Sequence, residues 1–339
     1  MDNPSVAVVI LNWNGKSFLE QFLPSVFNTL YPNLQIIVGD NNSTDDSIAF
    51  LQENFPLVKV IKNQENYGFA GGYNKVLAQV EADYFVLLNS DVEVSNVWIK
   101  PVIDLMESDP LIAIAQPKVK SAINRDEFEY AGAAGGYLDT LMYPFCRGRI
   151  FDSLEKDNNQ YNYNSEIFWA SGCALFIKAA VWKRVNGLDE NFFAHMEEID
   201  LCWRVKNLGY KIMYCSNSTV YHVGGGTLNV ESPFKTYLNF RNNYYLIKKN
   251  LPPAKAYLVI TLRFWLDFLA LIKFVFAGKF KNAAAISKAH RNVIIDFYKG
   301  KVKYNTDISK NPNKVGLYSK SVVWDYFVLK NKTFKNLRH

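Results

Sequence analysis

Up to residue 115, short runs of apolar residues without alternation trade places with longer segments of mixed polarity. Strands are read at Val6–Leu11, Leu34–Val38, Val58–Lys62 and Tyr84–Leu88, and of these Gln35–Val38 and Tyr84–Leu88 lack the period-two pattern of a half-exposed strand. Such runs are expected of central strands in a parallel sheet covered on both faces. Between them, Ser17–Thr29, Asp45–Asn54, Gly72–Val80 and Val97–Glu107 read as helices. The alternation predicts an α/β fold, a doubly wound, mostly parallel sheet flanked by helices. Ser43 or Thr44 is expected to cap the second helix, ahead of acidic residues in its first turn.

Residues 120–168 are rich in glycine and polar positions. They are expected to form irregular structure over the sheet edge, where an acceptor would be held. Regular structure resumes from Trp169 to Val223. Residues 254–277 then form a long apolar helix interrupted by Lys255, Arg263, Asp267 and Lys273. No run of about 18 uncharged residues survives, which argues against a membrane span. The four charges fall within an arc of roughly 120° on a helical wheel, and the rest of the wheel is apolar. Two readings follow, an interfacial membrane helix or a helix packing its wide apolar face on the rest of the protein.

Composition sharpens this division. The net charge of +6 conceals 17 Lys and Arg against 28 Asp and Glu in residues 1–234, and 21 against 4 in 235–339. A body of −11 thus carries a tail of +17, which suggests an anionic partner for the tail, and the lysine excess favours a membrane surface. Two regions are expected, a catalytic domain over 1–232 and a basic, amphipathic helical region over 233–339. No recognised nucleic-acid motif accompanies the basic tail. Cys146, Cys173, Cys202 and Cys215 have no C-x-x-C spacing and lie in apolar surroundings. They read as buried free thiols in a reducing compartment. Met1-Asp2-Asn3-Pro4 resembles no signal peptide, so the expected location is cytoplasmic, on the inner face of the plasma membrane if the tail binds lipid.

In open α/β sheets, ligands bind beyond the carboxyl ends of the strands. Three strand ends here deliver polar groups to one edge: Asn12-Trp13-Asn14-Gly15, Gly39-Asp40-Asn41-Asn42-Ser43 and Asn89-Ser90-Asp91. Asp40 and Asn41 are candidates to bond a base or ribose, or simply to form a turn. Asp91 is the strongest candidate ligand for Mg²⁺ or Mn²⁺ bridging a diphosphate, with a helix cap as the other reading. The segment Asn66-Tyr67-Gly68-Phe69-Ala70-Gly71-Gly72 opens a helix where backbone N–H groups could approach phosphate, or forms a tight turn.

A second chemical segment is Met196-Glu197-Glu198-Ile199-Asp200-Leu201-Cys202-Trp203-Arg204. On a helix, Glu198 shares the apolar face of Leu201, Cys202 and Val205, while Asp200 and Arg204 form an exposed or half-exposed i,i+4 pair. A carboxylate on an apolar stripe tends to have a raised pKa and suits a general base. His222 ends a strand-like run before Val223-Gly224-Gly225-Gly226-Thr227 and is either structural or a metal ligand. Trp169 and Glu197 are candidates on the acceptor side.

Taken in order, the Asn12-Trp13-Asn14-Gly15, Gly39–Asp45, Asn66–Asn74, Leu88–Asp91, Gly187–Phe193, Glu197–Asp200 and His222 segments resemble a family 2 glycosyltransferase, in its bacterial rhamnosyltransferase-like branch. The resemblance spans about residues 6–227 and lies in the ordered set. It implies a GT-A fold, a nucleotide-sugar donor, a divalent metal and inversion at the anomeric carbon. It also implies Asn12, Trp13, Asp40, Asn41, Asn66, Gly68, Gly71 and Asn89 around the donor, Asp91 and His222 on the metal, and Glu198 as base. Two positions depart from the commoner pattern. Asn89 stands where many relatives have Asp, which removes a charge from the metal motif. Glu197-Glu198 stands where Glu-Asp is common, so either the acceptor hydroxyl sits slightly deeper or Glu197 is the base.

Other classes fit less well. The first strand lacks the dinucleotide fingerprint of an oxidoreductase, and no Gly-rich, basic loop follows it as in a nucleotidyltransferase. A glycoside hydrolase needs a second carboxylate set at a defined distance from Glu198. A catalytically silent glycan- or nucleotide-binding protein of the same fold is the alternative from another class.

Overall fold

The computed structural model describes residues 3–129, 132–224 and 232–337. Its strands in chain order are β1 (Val6–Asn12), β2 (Leu34–Asp40), β3 (Lys59–Lys62), β4 (Tyr84–Leu88), β5 (Val92–Val94), β6 (Ile112–Ser121), β7 (Gly136–Leu138), β8 (Pro144–Cys146), β9 (Arg149–Ile150), β10 (Ser153–Leu154), β11 (Ser165–Glu166), β12 (Ala174–Lys178) and β13 (Lys211–His222). The helices are α1 (Lys16–Phe27), α2 (Ser47–Asn54), α3 (Gly68–Leu77), α4 (Ile99–Glu107), α5 (Ala179–Arg184), α6 (Glu197–Asn207), α7 (Pro233–Asn250), α8 (Pro253–Phe276), α9 (Phe280–Tyr298) and α10 (Val322–Phe327).

The main sheet runs β11-β13-β6-β12-β4-β1-β2-β3, with β5 paired to β13. Strands β3, β2, β1 and β4 are mutually parallel, as the alternation of strands and helices predicts. Strand β12 enters antiparallel between β4 and β6. The sheet buries apolar residues on both faces. Ala7, Val9, Phe85 and Leu87 face one cluster, while Val6, Val8, Ile10, Val86 and Leu88 face the other.

Three local expectations are corrected. Helix α2 begins at Ser47, and neither Ser43 nor Thr44 caps it; the Asp45 carboxylate accepts the Ser47 N–H at 3.1 Å instead. Helix α3 begins four residues earlier than the pattern suggested, at Gly68. The stretch taken as irregular contains a second, antiparallel sheet, β10-β9-β8-β7. Its strands are too short and too interrupted by turns to show a period.

The tail returns to the body. Tyr244, Tyr245, Leu246 and Ile247 of α7 lie in the same apolar cluster as the sheet. Past α9 the chain pairs Leu317 with Leu138 and packs Tyr318, Val322 and Leu337 against Phe145 and Ile150. All four cysteines are buried free thiols.

Candidate active site

Register sets the first group. Because β1 and β2 pair in parallel with Asn12 opposite Asp40, both side chains reach the same edge at one level. The Asn12 amide donates to Asp40 Oδ1 (3.2 Å) and Ser43 Oγ (3.1 Å), and Asp40 Oδ2 accepts the Ser43 N–H at 3.0 Å. Asn12 Oδ1 is buried and has no partner. Asn14, at φ 49°, turns its own Oδ1 onto the Thr44 N–H at 2.7 Å, locking the two loops together. Trp13 between them is 45% exposed, leaving its indole ring at the rim.

Asn41 is spent on the fold. Its amide donates to Asn66 Oδ1 and the Gly68 carbonyl, and its oxygen accepts from Asn63 Nδ2 and the Tyr67 N–H. Asn66 Oδ1 also accepts the Gly68 N–H at 2.9 Å. The N–H groups of Phe69 and Ala70 donate to the Phe193 carbonyl at 2.8 and 3.1 Å. The start of α3 is therefore already capped by protein, and its N–H groups are not open to phosphate as the glycine cluster suggested. Space explains the glycines: a Cβ on Gly72 would lie 2.8 Å from Leu11 Cδ2, and Gly68, at φ +69°, abuts the Phe193 ring. Trp169 is likewise corrected. It is buried, donates its indole N–H to the Tyr137 carbonyl at 3.0 Å, and packs over Gly136 as a core residue.

The pair Asp91 and His222 is brought together by strand pairing. Asp91 precedes β5, which pairs antiparallel with the end of β13 so that His222 faces Val92. Asp91 Oδ1 lies 3.1 Å from His222 Nε2, and both residues are buried. The Asn89 amide lies 3.3 Å from the same nitrogen. The other ring nitrogen, Nδ1, is 3.3 Å from Glu129 Oε2. Burial alone would lower the imidazole pKa, but the bonds to Asp91 and Glu129 prevail and raise it to about 10. Burial likewise works against the Asp91 carboxylate, and the His222 bond and charge hold it below the usual range. Glu129 went unnoticed in the sequence, where nothing marks an acidic residue in a loop as the partner of a distant histidine. Gly225, Gly226 and Thr227 lie outside the described residues.

These residues fit a divalent cation that displaces the proton His222 Nε2 shares with Asp91, since only the neutral imidazole is a ligand. Two neighbouring ligands at about 2.1 Å from Mg²⁺ stand on the order of 3 Å apart, the separation seen here. A carboxylate behind the distal ring nitrogen is the usual support for a metal-bound imidazole. Among the described residues no group of three or more His, Cys, Asp or Glu side chains converges on one point. Two protein ligands suit a cation that completes its shell with substrate phosphate and water.

The third group sits at the start of α6. Phe193, His195 and Met196 have φ of 66°, 69° and 74°. Such conformations are of order 1 kcal/mol or more each above the relaxed backbone for these residue types. Helix α7 holds them in place. The buried Asn242 amide donates to the carbonyls of Phe192, Ala194 and His195 at 2.7–2.9 Å, and Arg241 donates to those of Asn191 and Phe192. The turn delivers Glu197 and Glu198 side by side, each with an Oε2 that is buried and unpartnered. Burial raises Glu198 to about 7 against the opposing pull of backbone N–H groups. Glu197 is also raised well above the usual carboxylate range, by burial and then by the neighbouring Glu198 charge. His195 Nε2 is also unpartnered, and burial with Lys235 nearby pushes its imidazole down to about 4.

Glu198 and the Asp91 edge share one wall. The Asn89 N–H donates to the Cys173 carbonyl at 2.9 Å, and a Cβ on the preceding Gly172 would stand 3.9 Å from Glu198 Cβ. Asp200 differs from its expected exposed or half-exposed state. It is fully buried, bonded to Arg204 Nε (2.7 Å), Lys249 Nζ (2.8 Å) and Asn250 Nδ2 (2.8 Å). The helical period foresaw Arg204, whereas Lys249 and Asn250 arrive from α7.

Comparison with known proteins adds context to this geometry. Residues 7–185 match the model described as glycosyl transferase family 2. An N-acetylglucosaminyl-diphospho-decaprenol L-rhamnosyltransferase of Mycobacterium tuberculosis is 21% identical over 229 residues, covering 63% of this chain and 75% of the relative. Among solved structures, mannosyltransferase PcManGT from Pyrobaculum calidifontis, in complex with GDP-Man and Mn²⁺, has a TM-score of 0.51 at 15% identity, over 89% of this chain and 84% of that one. GalNAc-T7 with UDP, GalNAc and Mn²⁺ has a TM-score of 0.56 at 16% identity, over 72% of this chain and 47% of that one, so this chain spans about half its length. The shared architecture is the GT-A fold.

Proposed function

This chain belongs to glycosyl transferase family 2, and on that premise we propose that it is an inverting, metal-dependent hexosyltransferase. The donor is a dTDP- or UDP-sugar, and the acceptor is a hydroxyl of a glycan or lipid-linked glycan in bacterial surface polysaccharide biosynthesis. The observation that carries this reading is the conjunction of the Asp91–His222 pair with a carboxylate, Glu198, whose pKa is raised to about 7 on the same wall. The rhamnosyltransferase similarity supports a lipid-linked acceptor, and the complexes of its fold neighbours support a nucleotide-sugar donor.

In this reading Glu198 takes the proton of the acceptor hydroxyl. The oxygen attacks the anomeric carbon, and the bond from that carbon to the diphosphate oxygen breaks on the opposite side, inverting the centre. One base suffices, and a group titrating near neutrality is suited to the task. Glu197 is buried and its carboxyl is raised well above the usual range, which favours its neighbour for the role. Asp91 and His222 are the residues that would hold Mg²⁺ or Mn²⁺, which when bound supplies positive charge to the departing nucleoside diphosphate. Trp13 offers its exposed ring to the base, Asn12 its free Oδ1, and Asp40, Asn41, Asn66 and Asn89 shape the loops around the donor. The catalytic unit is assigned to residues 1–232. The basic region 233–339 makes peripheral contact with an anionic membrane, with the enzyme working from the cytoplasmic side.

The test is the melting temperature of the purified protein with UDP-, GDP- and dTDP-sugars, each with and without Mn²⁺ or Mg²⁺. A bound ligand raises the melting temperature by mass action. A metal-dependent rise with one nucleotide class, followed by transfer lost in Glu198→Gln, supports the reading. Glycan affinity with neither donor binding nor transfer would instead indicate a silent binding protein of this fold.

A further inference from the structure

Helix α8 is built inside out. At about 100° per residue, its buried positions Ala256, Val259, Arg263 and Asp267 occupy an arc of about 80°. This arc contains the two charges at the centre of the helix. Asp267 Oδ2 accepts the Tyr244 hydroxyl at 2.7 Å and lies 3.2 Å from His290 Nε2. Arg263 donates to the Leu141 carbonyl at 3.1 Å, and its guanidinium stacks 3.5 Å from the Tyr143 ring centre. The polar stripe is therefore consumed by α7, α9 and the second sheet. The wide apolar face points away from them: Tyr257, Leu258, Leu262, Trp265, Leu269 and Phe276 are all exposed, Trp265 by 66% and Phe276 by 87%.

We propose that this outward face of α8 is a docking surface for the interfacial layer of an anionic lipid bilayer, with the helix lying flat in the membrane plane. The inference deepens the membrane contact proposed above and rests on it for the biological setting alone. A continuous apolar face of this length on a soluble surface marks an interaction site. Charge chooses the occupant. Lys255 and Lys273 fall at one border of the apolar arc, and Lys279 in the α8–α9 turn and Lys281 in the first turn of α9 add to them. A second copy docking here would press two regions of +17 together, whereas anionic headgroups neutralise them. Trp265 and Tyr257 belong to the residue types that favour the headgroup level. Among the described residues no helix is long and apolar enough to cross a membrane, which leaves α8 on the surface.

The experiment is vesicle flotation of the full chain with phosphatidylcholine alone and with added phosphatidylglycerol, at low and high salt. The expected result is binding to the anionic vesicles that weakens with salt, and a loss of about tenfold or more in the variant Trp265→Glu/Leu269→Glu/Phe276→Glu. Because these side chains are exposed, the variant should melt at the wild-type temperature. If it does not, Trp265→Gln/Leu269→Gln replaces it, with the same expected direction. Lys255→Gln/Lys273→Gln should weaken binding to anionic vesicles more than to neutral ones. Absence of vesicle binding by the wild type, or binding untouched by the face substitutions, overturns the proposal. A dimer in solution that the face substitutions dissociate, without vesicle binding, assigns the face to a second copy. Donor-induced stabilisation is read without vesicles, so failure of the transferase reading and failure of this one are separable.

Discussion

Asp91 and His222, far apart in sequence, meet at 3.1 Å because the two-strand pairing of β5 with β13 places the residue before one strand beside the last residue of the other. Replacing either by Ala should abolish the Mn²⁺- or Mg²⁺-dependent part of the nucleotide-induced rise in melting temperature. Glu129→Gln should weaken metal affinity by about 10-fold to 100-fold, as expected for a supporting partner of a metal-bound imidazole. Titration calorimetry with Mn²⁺ in the presence of nucleoside diphosphate measures both.

The pH dependence should report Glu198. With its carboxyl raised to about 7, kcat/KM should fall tenfold per pH unit well below that value and level off above it. Stability runs the other way. A carboxyl raised in the folded state favours folding while it stays protonated, and that contribution is lost as pH climbs from the ordinary carboxylate range through about 7. Glu198→Gln should therefore be relatively more stable than wild type at pH 8 than at pH 5. Melting curves at the two pH values, beside a pH–rate profile, test both signs.

Asn242 donates to three carbonyls of the strained turn ahead of the base. Asn242→Ala removes this donor from the Ala194 and His195 carbonyls, while Arg241 and the Ala194 N–H still reach Phe192, and should destabilise the protein by about 1–3 kcal/mol. It should also lower kcat more than it raises donor KM, since the turn aims Glu198. Steady-state kinetics below the variant's melting temperature separate the two effects.

Asp200 is buried among Arg204, Lys249 and Asn250. Burial works against its ionised form, but the charges of Arg204 and Lys249 hold the carboxyl below its usual range. It therefore contributes stability above the ordinary carboxylate range, lost as pH falls through the lowered value. Asp200→Ala leaves two cations without their shared partner and should cost about 3–5 kcal/mol at pH 7. The difference from wild type should shrink in acid, as denaturant titrations at pH 7 and pH 3 would read.

Trp13 carries little of the fold, being 45% exposed. Trp13→Ala should change the melting temperature little while raising donor KM by about tenfold, the order expected for one base–aromatic stacking contact. Quenching of Trp fluorescence by nucleotide should fall in the same variant.

Much of this was legible in the chain. The alternation of strands and helices identified the parallel strands, and unbroken apolar runs marked central ones, because a strand covered on both faces has no polar side to alternate with. Parallel strands bring their carboxyl ends to one edge, so Asn12, Asp40 and Asp91 could be grouped before any coordinates. Helical spacing put Glu198 on the face of Leu201 and Cys202, and an ordered set of short motifs pointed to family 2.

What the chain could not express was which neighbours would claim each polar atom. Asn41 and the start of α3 looked available until the Asn63–Gly68 loop and the Phe193 carbonyl occupied them. Glu129 and Asn242 act on distant residues and carry no local signal. Helix α8 shows the division most directly. Its sequence determined an amphipathic cylinder with one narrow charged stripe, but only packing decided that the stripe turns inward. Periodicity specifies which residues share a face. The orientation of that face depends on the partners brought to it, here Tyr244 and His290 on Asp267 and the Leu141 carbonyl on one arm of the Arg263 guanidinium, and the apolar side stays uncovered.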